Sequence, residues 1–370
     1  MNSVVLNNVW KSFGDITAVK GLNLEAEDGK PAVILGPSGA GKTTTLRLIA
    51  GLESADEGEI LLGGKVANEL LPYERDLAMT FESYALYPHM TVFGNIASPL
   101  YAPGKKKDYT DDELKKRVEE TAELLGIGEL LNRMPRELSG GQRQRVALGR
   151  TLIKGPKLFL FDEPIAHLDA KLRHRMRGEM KKIFTSLKSA VIYTTHDYIE
   201  ASSIGDKVVV INMGENQQTG TPGEIFSYPV NDFVFSLTCE PVPNFFNCNL
   251  VKKDNKYSLE GKDLTYHVDE SFAKKVSSAR KEEIKIGIRP NDITVSRNRS
   301  DVTSVRAEVY TYEFLGTKLN VTLKIGSLTM EAEMRDVTSI KIGQEVWIGF
   351  DTARMFAFDK STGGNLLPRG

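Results

Sequence analysis

The run Gly36-Pro37-Ser38-Gly39-Ala40-Gly41-Lys42-Thr43 constrains this chain more than any other, because it directly follows the short apolar stretch Ala32-Val33-Ile34-Leu35. The order reads as a buried strand, a glycine loop and the start of a helix. Glycines let the backbone curl its N–H groups around phosphate oxygens. Lys42 is long enough to reach β and γ oxygens, and Thr43 offers a hydroxyl to Mg²⁺. A cradle of this kind sits on an α/β sheet.

A second stretch has phosphate chemistry of its own. Leu138-Ser139-Gly140-Gly141-Gln142-Arg143-Gln144-Arg145 precedes a helical pattern carried by Val146, Ala147, Leu148 and Leu152. Bare backbone N–H groups and the Ser139 hydroxyl would then meet an anion at a positive helix end. One nucleotide does not need two cradles, so the pair asks for an explanation.

Two apolar runs end in reactive side chains. Lys157-Leu158-Phe159-Leu160-Phe161-Asp162-Glu163 reads as a buried parallel strand whose carboxyl end emerges into two acids. Ligand chemistry in open α/β sheets belongs at that edge. Asp162 is expected to hold Mg²⁺ directly or through water, and Glu163 to polarise a water aimed at the γ-phosphate. Val191-Ile192-Tyr193-Thr194-Thr195-His196 is a second such strand, ending in a group that gives or takes a proton. His89, His174 and His267 lack such a context and read as ordinary histidines.

With these motifs in hand, the chain resembles the ATP-binding cassette (ABC) ATPases, whose signature is the Leu-Ser-Gly-Gly-Gln found here at Leu138–Gln142. The resemblance covers about residues 1 to 235. It implies two copies packed head to tail, with Ser139, Gly140, Gly141 and Gln142 of one capping the γ-phosphate held by Gly36 to Thr44 of the other. Each chain then holds two half-sites, and a complete ATP·Mg²⁺ site needs two chains. The resemblance also makes His196 a γ-phosphate contact that helps orient the attacking water, and places Asp169, in Leu168-Asp169-Ala170, at the contact between subunits. The family often has Ser-Asn before that Leu-Asp, whereas Ala166 and His167 stand here.

Two further positions follow from the resemblance. Phe13, in Lys11-Ser12-Phe13-Gly14, sits where the family keeps a ring against adenine; the alternative is that it packs locally with Trp10. Met79 to His89 looks like the Q-loop of sugar-importer ATPases, but the expected glutamine is Glu82. A carboxylate still offers Mg²⁺ an oxygen while adding charge and losing the amide N–H donors, so Glu82 is either a metal-proximal ligand or turned to solvent.

Between Glu82 and Ser139 the pattern becomes helical. Thr110-Asp111-Asp112-Glu113 forms a capping box before Leu114, Val118, Ala122 and Leu125, giving a helical subdomain at about 84–155. In the family this region and the Q-loop receive the permease, so Tyr84 to Met90 is the expected docking surface. The charge run Lys105-Lys106-Lys107 reads as a solvated face.

After about residue 235 short alternating runs take over: Glu283–Ile288, Val305–Glu313, Lys318–Ile325, Thr329–Met334 and Glu345–Phe350. The expected architecture is therefore an α/β P-loop ABC ATPase domain at 1–235 with its helical subdomain, followed by an all-β, OB-like barrel domain at 236–370. Ile286-Gly287-Ile288-Arg289-Pro290 resembles a motif in the regulatory domain of carbohydrate-importer ATPases of the maltose and glycerol-phosphate type. That resemblance implies an ATPase serving two transmembrane permease subunits and, indirectly, an extracytoplasmic solute-binding protein.

Composition agrees. Lys and Arg number 48 against 49 Asp and Glu, for a net charge of −1, so no basic excess points to nucleic acid. The two cysteines, Cys239 and Cys248, form no Cys-x-x-Cys motif, which fits a reduced compartment. No apolar run approaches the roughly 20 residues of a membrane span, and the N-terminal stretch lacks the layout of a signal peptide. The expected location is the cytoplasmic face of the membrane, with the spanning helices on other polypeptides. Chromosome-maintenance and DNA-repair members of the family separate cradle and signature by a long coiled coil, and no sustained heptads occur here. No Asn-Lys-x-Asp sequence supports GTP. A regulatory or nucleic-acid-associated role through the barrels remains the alternative, since OB barrels host both.

Overall fold

The computed structural model describes residues 2–80, 86–101, 109–166, 168–254, 256–277, 283–299, 304–335 and 340–367. The chain divides into two compact units, Met1–Ile225 and Phe226–Gly370.

In the first unit a six-stranded sheet runs in the order Glu215–Gly220, Lys207–Asn212, Ala32–Leu35, Ala190–Thr195, Leu158–Asp162, Leu77–Thr80. All neighbours are parallel except the first pair. The strands Ala32–Leu35, Leu158–Asp162 and Ala190–Thr195 are buried along their whole length, as expected when both faces of a parallel sheet are covered. A four-stranded antiparallel sheet, ordered Ile16–Glu27, Asn2–Phe13, Glu57–Leu62, Lys65–Val66, shares one core with it. Leu46, Leu48 and Ile49 of the helix Lys42–Ala50 belong to that core together with Leu6, Ile34 and Leu160.

Three helices, Val92–Ala97, Asp111–Leu124 and Gly140–Leu152, fill the region expected to be helical. The capping box at Thr110 is present: its backbone N–H donates to Glu113 at 2.8 Å, and its hydroxyl accepts from the Glu113 N–H at 3.3 Å. None of the described helices is long and apolar enough to cross a membrane.

The second unit holds two five-stranded antiparallel sheets. One is ordered Thr265–Val268, Lys256–Gly261, Asn244–Lys253, Glu283–Ile288, Phe356–Asp359; the other Ile293–Ser296, Glu345–Phe350, Val305–Phe314, Leu319–Ile325, Leu328–Met334. Alternate residues such as Leu319, Val321, Leu323 and Ile325 turn inward to one core, the period of a half-buried strand. This is the expected all-β domain, to which the structure adds the short helix Glu270–Ser277. The division falls after Ile225, ahead of residue 235, because the helix Asp232–Leu237 packs with the β unit. Its Phe235 ring lies 4.8 Å from Phe356 and 5.5 Å from Phe358, and Asp232 pairs with Lys285 at 2.6 Å.

Candidate functional site

The glycine cradle leaves the carboxyl end of Ala32–Leu35 and enters the helix Lys42–Ala50. Gly41 caps that helix at φ 101°, where a side chain is strained, and a Cβ there would stand 2.4 Å from the Ala18 carbonyl oxygen. Only a glycine lets the loop pass this close to the neighbouring strand Ile16–Glu27. A pocket of about 440 Å³ opens in front of the loop, walled by the expected Ser38, Gly39, Gly41, Lys42, Thr43, Thr44 and Glu163. Gly36 and Pro37 act from behind through their carbonyl oxygens, which accept from Lys42 Nζ at 2.9 and 3.0 Å. Ala40 turns into the core.

The acids arrive on the next strands. Because Ala32–Leu35, Ala190–Thr195 and Leu158–Asp162 are adjacent and parallel, their carboxyl ends bring the cradle, His196 and the Asp162-Glu163 pair to one edge. Asp162 Oδ1 accepts from Thr43 Oγ1 at 3.2 Å. Glu163 Oε1 lies 3.0 Å from Lys42 Nζ, and its Oε2 lies 2.8 Å from His196 Nδ1. Burial alone would raise the Glu163 pKa. The hydrogen bonds and charges of Lys42 and His196 outweigh it and hold the carboxyl below its usual range. His196 is half exposed, so it can meet a ligand from the solvent side.

The Thr43 and Asp162 oxygens form a donor set suited to a hard divalent cation. Among the described residues no group of three or more His, Cys, Asp or Glu makes a metal cage.

Other expected residues lie elsewhere. The signature supplies no wall residue of this pocket. Ser139 caps the helix Gly140–Leu152, its hydroxyl accepting from the Gln142 N–H at 3.3 Å while Gln142 Oε1 accepts from the Ser139 N–H at 2.9 Å. Gly140 and Gly141 form the first turn. Asp169 caps the helix Ala170–Ser186, accepting from the Leu172 N–H at 3.0 Å. Phe13 is half exposed with Lys11 Nζ 5.3 Å above its ring; it does not line the pocket. Glu82 and His167 lie outside the described residues, as do Tyr84 and Ala85 of the expected docking surface and Lys105 to Lys107. The described part of that surface is held by buried Asn95, whose side chain bonds the backbone of Tyr87 and Met90 at 2.8 to 3.0 Å.

Sequence reading missed several contributors, among them the stretch Ile16, Thr17, Ala18 and Lys20 of the neighbouring strand. Ile16 and Met213 are exposed apolar side chains on the pocket wall, and neither carries a motif. Thr194 sits between the acids, and only strand register reveals it.

A glycine cradle, a buried lysine and two acids at one edge of a parallel sheet define a P-loop nucleotide-binding domain. Residues 19–166 match the ABC transporter family, and residues 286–358 match the TOBE domain. The chain is 44% identical over 373 residues to the trehalose/maltose import ATP-binding protein MalK of Thermococcus litoralis, covering 98% of this chain and 99% of that protein. It is 39% identical over 370 residues to the sn-glycerol-3-phosphate import ATP-binding protein UgpC 2 of Agrobacterium fabrum, covering 100% and 96%. Among solved structures, a dimeric post-hydrolysis state of the ATP-binding cassette MJ0796 bound to ADP and Pi is similar, with a TM-score of 0.53 and 31% identity, covering 59% of this chain and 98% of that one. The chain belongs to the ABC transporter ATP-binding proteins, and it is an ATPase.

Proposed function

We propose that this chain powers the import of a carbohydrate or a related small solute by hydrolysing ATP as a head-to-tail dimer beneath two transmembrane permease subunits. The observation that carries the reading is the separation of the two phosphate motifs. Lys42 and Glu163 wall the pocket, whereas Ser139, Gly140, Gly141 and Gln142 contribute nothing to its wall. A second copy supplies what one chain lacks. The solute class rests on the full-length likeness to importers whose names give trehalose, maltose and glycerol phosphate. Location at the cytoplasmic face, and supply of solute by an external binding protein, follow from the same likeness.

In this mechanism the cradle's backbone N–H groups and Lys42 bind the β and γ phosphate oxygens, and Lys42 leaves Glu163 as the phosphates take it. Glu163 then accepts a proton from the attacking water, with His196 fixing the carboxylate on its other oxygen. Ser139 and Gly141 of the second copy add donors to charge that develops on the transferring phosphoryl group. Thr43 and Asp162 would hold Mg²⁺, which would supply positive charge against the phosphates. Closure on ATP and opening after phosphate release move the permease between its two accesses.

The test is Glu163→Gln. With ATP and Mg²⁺ it elutes as a dimer and turns over no ATP, while the specific activity of the unaltered chain falls on dilution. Turnover by a particle that stays single at every dilution overturns the dimer; wild-type turnover by Glu163→Gln overturns the base. Reconstitution with a transmembrane permease pair and a solute-binding protein of an ABC importer reads the solute class directly, by ATP-driven uptake of labelled sugars.

A further inference from the structure

The parallel register sets Asp162 opposite Thr194 on the neighbouring strand. Thr194 is fully buried and has no route to a ligand of its own. Its hydroxyl nevertheless touches both acids of the site. Thr194 Oγ1 donates to Asp162 Oδ1 at 2.8 Å and accepts from the Glu163 backbone N–H at 3.2 Å; its approach to the Phe161 carbonyl oxygen is longer, at 3.4 Å. A hydroxyl has one proton and two lone pairs, so giving the proton to Asp162 leaves a lone pair for Glu163.

Each contact fixes something specific. Asp162 Oδ1 takes hydrogen bonds from Thr43 and Thr194 together, which sets the rotation of the carboxylate. Glu163 has φ 42°, in the left-handed region that a non-glycine residue occupies only when its surroundings hold it there. The chain must turn this way for the Glu163 side chain to leave the strand end and reach Lys42 and His196. The bond from its N–H to Thr194 is the anchor of that turn.

We propose that Thr194 is a positioning residue for ATP hydrolysis, whose single hydroxyl sets the metal-side carboxylate of Asp162 and the turned backbone of Glu163 at once. Nothing in the sequence pattern separates it from the other β-branched residues of a buried strand. Valine has the same shape and no hydroxyl, so it would leave Asp162 Oδ1 its Thr43 bond but take the second one that fixes the carboxylate, and would remove the Thr194 acceptor of the Glu163 N–H, without disturbing the packing volume. Serine keeps the hydroxyl and loses only a methyl group.

The inference rests on the reading that Asp162 faces Mg²⁺ and Glu163 is the base, and the experiment separates the two. Thr194→Val, Thr194→Ala, Thr194→Ser and Glu163→Gln are prepared as full-length chains. Each is measured for kcat and KM for ATP, and for the Mg²⁺ midpoint in binding of a fluorescent ATP analogue. Thr194→Val lowers kcat by about ten- to a hundredfold and raises the Mg²⁺ midpoint, while its analogue affinity without Mg²⁺ stays that of the unaltered chain, because the cradle is intact. Thr194→Ser returns both quantities close to wild type. If Thr194→Val does not fold, Thr194→Ala carries the same expectation. Wild-type kcat and Mg²⁺ midpoint in the hydroxyl-free variants overturn the proposal, as does a serine variant as impaired as the valine one. Wild-type turnover in Glu163→Gln removes the base reading whatever Thr194 does.

Discussion

Replacing Gly41 with alanine separates backbone strain from steric contact within one loop. At φ 101° an alanine carries a conformational cost of about 1 to 3 kcal/mol. Its Cβ also lands 2.4 Å from the Ala18 carbonyl oxygen, well inside the 3.0 Å that real Cβ contacts respect. The obstacle is backbone of a paired strand and cannot rotate away, so overpacking adds about 1 to 3 kcal/mol. Gly39 is the internal control. It also has a left-handed φ, of 79°, but nothing lies within 4 Å of its Cβ, so Gly39→Ala carries strain alone. The loop relieves the Gly41→Ala clash by moving off the strand, which withdraws the N–H groups that cradle phosphate. At about 1.4 kcal/mol per tenfold, Gly41→Ala binds nucleotide roughly 5- to 150-fold more weakly than Gly39→Ala. Equilibrium binding of a fluorescent ATP analogue, with melting temperatures taken alongside, measures the gap. Equal affinities for the two variants, with the Gly41→Ala melting temperature unchanged from wild type, refute the argument.

Two expectations concern pH. The Glu163 carboxyl is held below its ordinary 4.5 in the folded chain, so its ion pair contributes fully above that value and is lost as pH falls through the lower, folded one. Thermal melts of Glu163→Gln and wild type should therefore differ near neutrality and converge below pH 4.5; a gap independent of pH contradicts this. Glu200 behaves in the opposite sense. Burial raises it to about 7, with the Tyr193 hydrogen bond opposing and the Asp197 charge adding. Between 4.5 and 7 the folded group keeps a proton that the unfolded one has lost, so stability falls as pH rises across that window and is level above it. Glu200→Gln removes the effect and gains up to about 3 kcal/mol over wild type at pH 8, shrinking toward acid pH. The same melting difference at pH 5 and pH 8 would contradict it.

Much of the site was legible because its parts are local. The cradle is one unbroken run after one apolar strand, and loop, lysine and hydroxyl are positioned within a turn or two of each other. The strand ends at Asp162 and just before His196 could be read for the same reason, since a buried parallel strand shows as an apolar run and the polar residues that close the run mark its carboxyl end. The strands Glu283–Ile288 and Glu345–Phe350 were visible through their alternation. Asn244–Lys253 and Phe356–Asp359 were not: the pairs Phe245-Phe246 and Lys252-Lys253 break the alternation of the first, and the second is four residues with three apolar ones in a row. Asp169 shows the limit of a motif. A resemblance gives it a place between subunits, while within its own chain it is a helix cap.

The sequence by itself determined which chemistries this protein owns: a phosphate cradle, a signature loop, two acids and a histidine at strand ends, and a β appendage. Those follow from backbone needs and periodicities that act over a few residues. Only the tertiary structure decided how they meet. Strand order brought Lys42, Glu163 and His196 into one hydrogen-bonded set. Register placed the Thr194 hydroxyl between two acids, and the pocket wall took in Ile16 and Met213 while leaving Phe13 and the signature aside. The reason is that contacts between strands depend on sheet order and stagger, and a pattern read along one strand carries neither.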